Sequence, residues 1–289
     1  MTRPFRFGVT MTTPARGDAW RAKCRRAEEL GYDVILVPDH LDTPSPFPAL
    51  VAAAQATTRP RVGTFVPNCA FWNPVLLARE VTTAAALTDG RLDVGLGTGY
   101  VREEFDRAGV AWGTPGSRVD HLVRVVEELE RLPDTPGADS RPPLLIGGNG
   151  DRVLRLAAGH ADIVAFTGAR PGPEGTGGLV PLTADELDGR LAAYRKFAGA
   201  RAETAELNLL LQLVAVTDDP SAAARPWLAR MPELTEREVL DSPLVVIGTQ
   251  EQITERLLAS RERYGFSYIT VLEPYLEALA PVVRALRGR

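Results

Sequence analysis

Short apolar runs alternate with stretches of helical periodicity along the whole chain. FRFGVT (5–10) reads as a strand, and DAWRAKCRRAEELGY (18–32) follows as a helix. That helix places Trp20, Cys24, Ala27 and Leu30 on one face and stops at Gly31. DVILVPDH (33–40) is a buried strand and FPALVAAAQATT (47–58) a helix. RVGTFV (61–66) precedes the helix NPVLLAREVTTAAALT (73–88). RLDVGLGTG (91–99) is the fourth strand, trailed by helical pieces near 102–108 and 117–132. The second half repeats the pattern, with strands at 143–149, 162–168, 206–217 and 266–273 and helices at 150–161, 183–199, 249–265 and 274–288. Two of those helices open with a capping box, Thr183 with Glu186 and Thr249 with Gln252.

Eight strand–helix units in 289 residues predict an α/β fold, a single-domain TIM-like (β/α)8 barrel over residues 1–289. The strands are continuously apolar, as parallel strands covered on both faces should be. A doubly wound open sheet competes, but it binds its ligand at one switch point. Here polar or glycine-rich endings recur after most strands, which suits a ring of active-site loops. The third strand is stopped abruptly by Pro67-Asn68-Cys69, because Pro67 cannot donate to a sheet ladder. Such a disturbance often aims backbone at a ligand. The Gly/Pro-rich segment 168–182 reads either as a lid or as a simple insertion.

Charge narrows the function classes. A net charge of −4 lacks the basic footprint of a general nucleic-acid binder. No stretch approaches a membrane span and no secretory pattern opens the chain, so the cytoplasm is the expected compartment. The two cysteines, Cys24 and Cys69, have no metal or redox spacing, and no metal site is expected. Cys24 reads as a core thiol. Cys69 sits in the strand-end loop, as a plain thiol or near a ligand.

The strand ends hold the candidate chemistry. Asp39-His40 closes the second strand, and histidine is the side chain that trades protons nearest neutral pH. An Asp-His dipeptide is also an ordinary turn. GLGTGY (95–100) and GGNGDR (147–152) end the fourth and fifth strands, where glycines let backbone approach a flat or phosphorylated ligand. The free N–H groups of the helix beginning at Gly150-Asp151 form an anion site, and Arg152 adds charge. Asp151 is awkward beside a phosphate and reads as a helix cap. Neither glycine run is a dinucleotide fingerprint. His121, within a helix, and His160, after Gly159, are weaker candidates.

GTFVPNCAFWNPVLLARE, GRLDVGLGTGYVREEF, PLLIGGNGDRVLRLAAGHAD and the upstream VPDH together resemble the bacterial luciferase-like flavin and deazaflavin oxidoreductases. The resemblance is to the coenzyme F420-dependent branch in particular. It extends through VVIGTQEQITERLLASRERYGFSYITV and so covers almost the whole chain. It implies a barrel carrying a flavin or 5-deazaflavin at its C-terminal mouth. It also implies a third-strand bulge with a non-prolyl cis peptide at Phe65–Val66, beside Thr64, backing the ring. By the same resemblance Asp39 and His40 stand beside the reactive ring, and Gly97, Thr98 and Gly99 form the fourth-strand turn. Gly147, Gly148, Asn149 and Gly150 would take the phosphate, and Thr167, Gly168 and Arg170 would contact the tail.

Two departures bear on the substrate. F420-dependent sugar-phosphate dehydrogenases carry a Glu directly after GTG, where this chain has Tyr100, and a Trp in the loop after Asp-His, where LDTPSP stands. Glu103 and Glu104 lie nearby and read as solvent-facing helix residues. The leading expectation is an F420-dependent oxidoreductase passing a hydride to or from a C=C, C=N or C=O bond of a small substrate, with His40 as acid or base. The alternative is an FMN-dependent monooxygenase, since a deazaflavin does not activate oxygen as a flavin does. A cofactor-less binding protein on the same barrel is the second alternative. The resemblance leaves room for a homodimer. Lysine occurs only at 23 and 196 against abundant arginine, which suits a high-GC, F420-making actinobacterial source.

Overall fold

In the computed structural model, which describes residues 3–132, 141–171, 179–231 and 234–289, the alternating pattern closes into a barrel. Its first six strands are β1 (Arg6–Thr10), β2 (Val34–Val37), β3 (Arg61–Thr64), β4 (Leu92–Leu96), β5 (Leu144–Gly147) and β6 (Ile163–Phe166). Two short strands, β7 (Ala169–Pro171) and β8 (Leu179–Pro181), then pair antiparallel outside it. β9 (Glu206–Leu211) and β12 (Phe266–Leu272) complete the ring, in the order β1-β12-β9-β6-β5-β4-β3-β2. β10 (Leu213–Val216) and β11 (Val245–Gly248) form a separate parallel pair. The expected parallel barrel is present, and the open sheet is excluded.

Helices connect the strands: α1 (Gly17–Leu30), α2 (Pro46–Ala56), α3 (Pro74–Leu87), α4 (Arg102–Ala108), α5 (Pro115–Glu130) and α6 (Asp151–His160). α7 (Ala184–Ala198), α8 (Pro220–Leu228), α9 (Glu236–Asp241), α10 (Gln250–Tyr264) and α11 (Leu276–Leu286) follow. The local signals act where expected. Trp20, Cys24, Ala27 and Leu30 form the buried face of α1, and Gly31 ends it at a φ of 98°. Both capping boxes form, at Thr183 and at Thr249. Among the described residues no helix is long and apolar enough to cross a membrane.

Strand alternation sorts side chains between two cores. Val34 and Leu36 join Leu145, Ile163, Ala165 and Tyr268 in one cluster, while Ile35 and Val37 join the larger one that contains the helix residues. At the N-terminal end the filling is ionic. Asp93, with a side chain 3% exposed, takes Arg6 at 3.0 Å and Arg61 at 2.6 Å. The Arg6 guanidinium also lies 4.0 Å from the centre of the Tyr268 ring. A buried carboxylate between two guanidinium groups is expensive to open, so this end is a plug. Chemistry is left to the other end, where the strands finish.

The structure departs from the sequence pattern in three places. The expected strand 206–217 is two strands, because the N–H groups of Gln212 and Leu213 both turn to the carbonyl of Leu244. β10 thereby leaves the ring and pairs with β11, and the apolar run gave no sign of the break. β3 ends at Thr64, before Phe65 and Val66. The segment 168–182 begins and ends in the β7–β8 ladder; residues 172–178, and with them the expectation of a lid, lie outside the described residues.

Candidate active site

The residues expected around the cofactor and the reacting group stand at or just beyond the C-terminal ends of five consecutive barrel strands. Asp39 and His40 follow β2, Thr64 finishes β3, and Phe65 and Val66 follow it. Gly97, Thr98 and Gly99 follow β4, Gly147 to Gly150 follow or finish β5, and Thr167, Gly168 and Arg170 follow β6. The strands are neighbours in the order β2-β3-β4-β5-β6. Positions spread over more than a hundred residues of sequence therefore form one arc.

The peptide bond between Phe65 and Val66 is cis, as the resemblance implies. Around it β3 and β4 are fitted closely. Thr64 Oγ accepts from the Gly95 N–H at 2.8 Å and donates to the Gly95 carbonyl at 2.9 Å. Gly97 donates its N–H to the Pro67 carbonyl and accepts from the Cys69 N–H, both at 3.0 Å. A β-carbon on Gly97 would stand 2.6 Å from a methyl of Val66, and one on Gly95 would overlap the Thr64 carbonyl. The glycines at 95 and 97 therefore allow the close fit between β3 and β4. Cys69 is fully buried in the core, and burial pushes its thiol up to about 12.

Asp39 and His40 have separate partners. The Asp39 carboxylate accepts from Trp72 Nε1 at 2.8 Å and from the Asn68 N–H. Burial nevertheless holds its pKa above the ordinary carboxylate range. His40 turns instead to Glu104, whose two oxygens each lie 3.1 Å from Nδ1. The same carboxylate accepts from the Leu41 N–H at 3.1 Å. Thr43 Oγ donates to the His40 carbonyl at 2.8 Å, closing the turn behind the imidazole. Tyr100 lies on the ring's other side, edge-on with centroids 5.6 Å apart and its hydroxyl 3.5 Å from Nε2.

Glu104 corrects the sequence reading: it is only 8% exposed, whereas its neighbour Glu103 faces solvent. A signal for it existed. Val101, Glu104, Phe105 and Ala108 fall at the i, i+3, i+4, i+7 spacing of one helix face. A carboxylate set within an apolar stripe needs a partner. Trp72 and Asn68, which hold Asp39, carried no comparable mark. His121, a weak candidate, is a clamp: its Nε2 donates to the carbonyls of Cys69 and Trp72 at 2.9 and 3.0 Å.

The fifth-strand run makes the second half of the site. Asn149 donates Nδ2 to the Ala169 carbonyl at 2.7 Å and to Thr167 Oγ at 3.0 Å. A carbonyl can only accept, so the amide orientation is fixed, and Oδ1 is left buried without a partner among the described residues. Gly150 caps α6 in extended geometry (φ −73°, ψ 145°), with nothing within 4 Å of the place a β-carbon would occupy. The first-turn N–H groups of α6 have no acceptor within the helix. Asp151 does not cap it; its carboxylate is paired with Arg190 of α7 at 2.7 Å. Arg152 is engaged by Asp120 at 2.6 Å. An anion facing the α6 N–H groups would be satisfied here, as a phosphate requires.

Known proteins resemble this chain in sequence and in fold. The chain is 25% identical over 183 residues to the 5,10-methylenetetrahydromethanopterin reductase of Archaeoglobus fulgidus, covering 57% of this chain and 54% of that protein. It is 26% identical over 290 residues to the F420-dependent glucose-6-phosphate dehydrogenase of Nakamurella multipartita, covering 89% and 82%. An F420-dependent secondary alcohol dehydrogenase, solved with an F420-acetone adduct, superposes with a TM-score of 0.75 at 17% identity over 99% of this chain and all of that one. Residues 1–268 match the family model of the luciferase-like monooxygenases, and the chain belongs to that family.

Proposed function

We propose that the protein is a coenzyme F420-dependent oxidoreductase acting on a small organic substrate with a C=C, C=N or C=O bond, or on the reduced form of one. The observation that carries this reading is a juxtaposition. The open Gly150 cradle at the start of α6 and the His40–Glu104 pair stand at opposite ends of one arc of strand ends. The F420-dependent enzymes among the relatives support the choice of cofactor. Gly147, Gly148, Asn149 and Gly150 would hold the phosphate, with Thr167, Gly168 and Arg170 toward the tail. Thr64, Phe65, Val66, Gly97, Thr98 and Gly99 would back the ring, beside Asp39. The cofactor supplies a hydride donor or acceptor; the chain binds it, orients the substrate and manages a proton.

His40 is the group placed to manage that proton. Its Nδ1 is engaged by Glu104, and Nε2 is left for a reacting atom. Tyr100, standing where sugar-phosphate dehydrogenases carry Glu, offers a hydroxyl and an apolar ring instead of a carboxylate. Leu41 is also exposed on this side. An uncharged substrate with an apolar body suits these neighbours better than a sugar phosphate.

Titration of the purified protein with F420 and with FMN tests the reading. F420 is expected to bind with a dissociation constant on the order of micromolar, about −8 kcal/mol, and FMN more weakly. Tighter FMN binding with oxygen consumption would establish the monooxygenase alternative. Binding of neither would leave a cofactor-less protein on the same barrel.

A further inference from the structure

We propose that Glu104 is a positioning residue that fixes the tautomer of His40, keeping the ring proton on Nδ1 and presenting Nε2 to the substrate; its catalytic meaning rests on the function proposed above. Both carboxylate oxygens are 3.1 Å from Nδ1, and Oε1 also receives the Leu41 N–H at 3.1 Å. An ionised carboxylate only accepts, so the atom facing it must donate. The proton therefore belongs on Nδ1, and Nε2 carries the lone pair.

Among the described residues, nothing else that faces the imidazole competes for Nδ1. On its own strand end, Asp39 is taken by Trp72 and Asn68. In the following loop, Asp42 is paired with Arg107 of α4 at 3.2 Å. From the loop after β4, Tyr100 approaches Nε2 and not Nδ1, and at 3.5 Å it makes at most a weak bond. The arrangement is built rather than incidental. Glu104 is held on the buried face of α4 beside Phe105, which packs between Phe71 and Trp112 with ring centroids 5.3 and 4.8 Å apart. An acid on the far side of an imidazole sets which nitrogen meets the substrate.

The test uses the ligand-free protein labelled with 15N-histidine, at an alkaline pH where the imidazoles are neutral. Two-bond nitrogen–proton correlations then report each tautomer directly. Only three histidines are present, so His40→Ala and His160→Ala variants assign the spectrum. His121 is an internal reference for the opposite tautomer, because its Nε2 donates to two carbonyls while Nδ1 accepts from Arg124 at 3.1 Å. Wild-type His40 is expected as the Nδ1–H form. In Glu104→Gln the Leu41 N–H holds the amide oxygen, which turns the NH2 group toward Nδ1. His40 should then switch to the Nε2–H form while His121 stays unchanged.

In the loaded enzyme the same variant should lose at least about tenfold in kcat, with KM within about twofold, and should cost little more when combined with His40→Ala. A wild-type His40 found as Nε2–H overturns the assignment by itself. So does a folded Glu104→Gln protein whose His40 tautomer does not move. The two readings fail separately. A protein that binds no F420 loses the proposed function whatever its tautomer, and one that binds F420 with His40 as Nε2–H loses only this assignment.

Discussion

Replacing His40 with Ala is expected to leave F420 affinity within a few-fold and to lower turnover by roughly 100- to 10,000-fold, the usual worth of a general acid–base group. Assay of kcat with reduced and oxidised F420, against a panel of ketones, enones, imines and their reduced forms, measures it. The variant removes one of Glu104's two partners and leaves the buried carboxylate with the Leu41 N–H. An unsatisfied buried acceptor costs about 1–3 kcal/mol, so thermal melting belongs beside the kinetics. His40→Asn separates the two effects. Its amide nitrogen can stand near the place of Nδ1 and still donate to Glu104, but it offers nothing in place of Nε2. Loss of turnover in both variants assigns the role to Nε2. Both should also lose the pH-dependent limb of the wild-type rate. Near-normal turnover in a folded His40→Asn protein would leave His40 as a wall of the pocket.

The barrel was legible because its strands are written twice. Most are apolar runs followed by a helix whose start or stop is marked by a residue such as Thr183, Thr249 or Gly31. The split of 206–217 was not legible, since Leu213 and Val214 are as apolar as the strand before them. What moves them out of the ring is the Leu244 carbonyl, a partner distant in sequence.

The site divides in the same way. Asp39, His40 and the glycine runs could be placed because strand ends gather at one face of any such barrel. What each residue touches could not be. Asp39 and His40 are adjacent in sequence yet engage Trp72 and Glu104, on different elements. Gly97 and Gly150 look alike in sequence. One is filled by Val66, and the other faces open space. Local sequence marks a glycine but not what occupies the volume it vacates.

That contrast makes Gly150 the informative position for the phosphate. Gly150→Asp is expected to weaken F420 binding roughly 10- to 100-fold while the protein folds normally. The backbone there has φ −73° and ψ 145°, which any L residue adopts, and a β-carbon meets nothing within 4 Å. Asp is moreover a preferred N-cap and should satisfy one of the free N–H groups of α6, so stability should hold or rise slightly. The same bond removes a donor from the anion and sets a carboxylate beside it. Two unit charges 4 Å apart repel by about 4 kcal/mol at an effective dielectric of about 20. Solvent and salt at an open helix end should leave roughly 1.5–3 kcal/mol of that. Arg190 offers limited relief, since it already holds Asp151 at 2.7 Å. Gly150→Ser is the control: it caps the helix without charge and should bind within a few-fold of wild type. Isothermal titration at two salt concentrations decides the matter, because the Asp penalty should shrink as salt rises. A folded Gly150→Asp protein with unchanged affinity would take residues 147–150 out of the cofactor site and send the phosphate elsewhere along the arc.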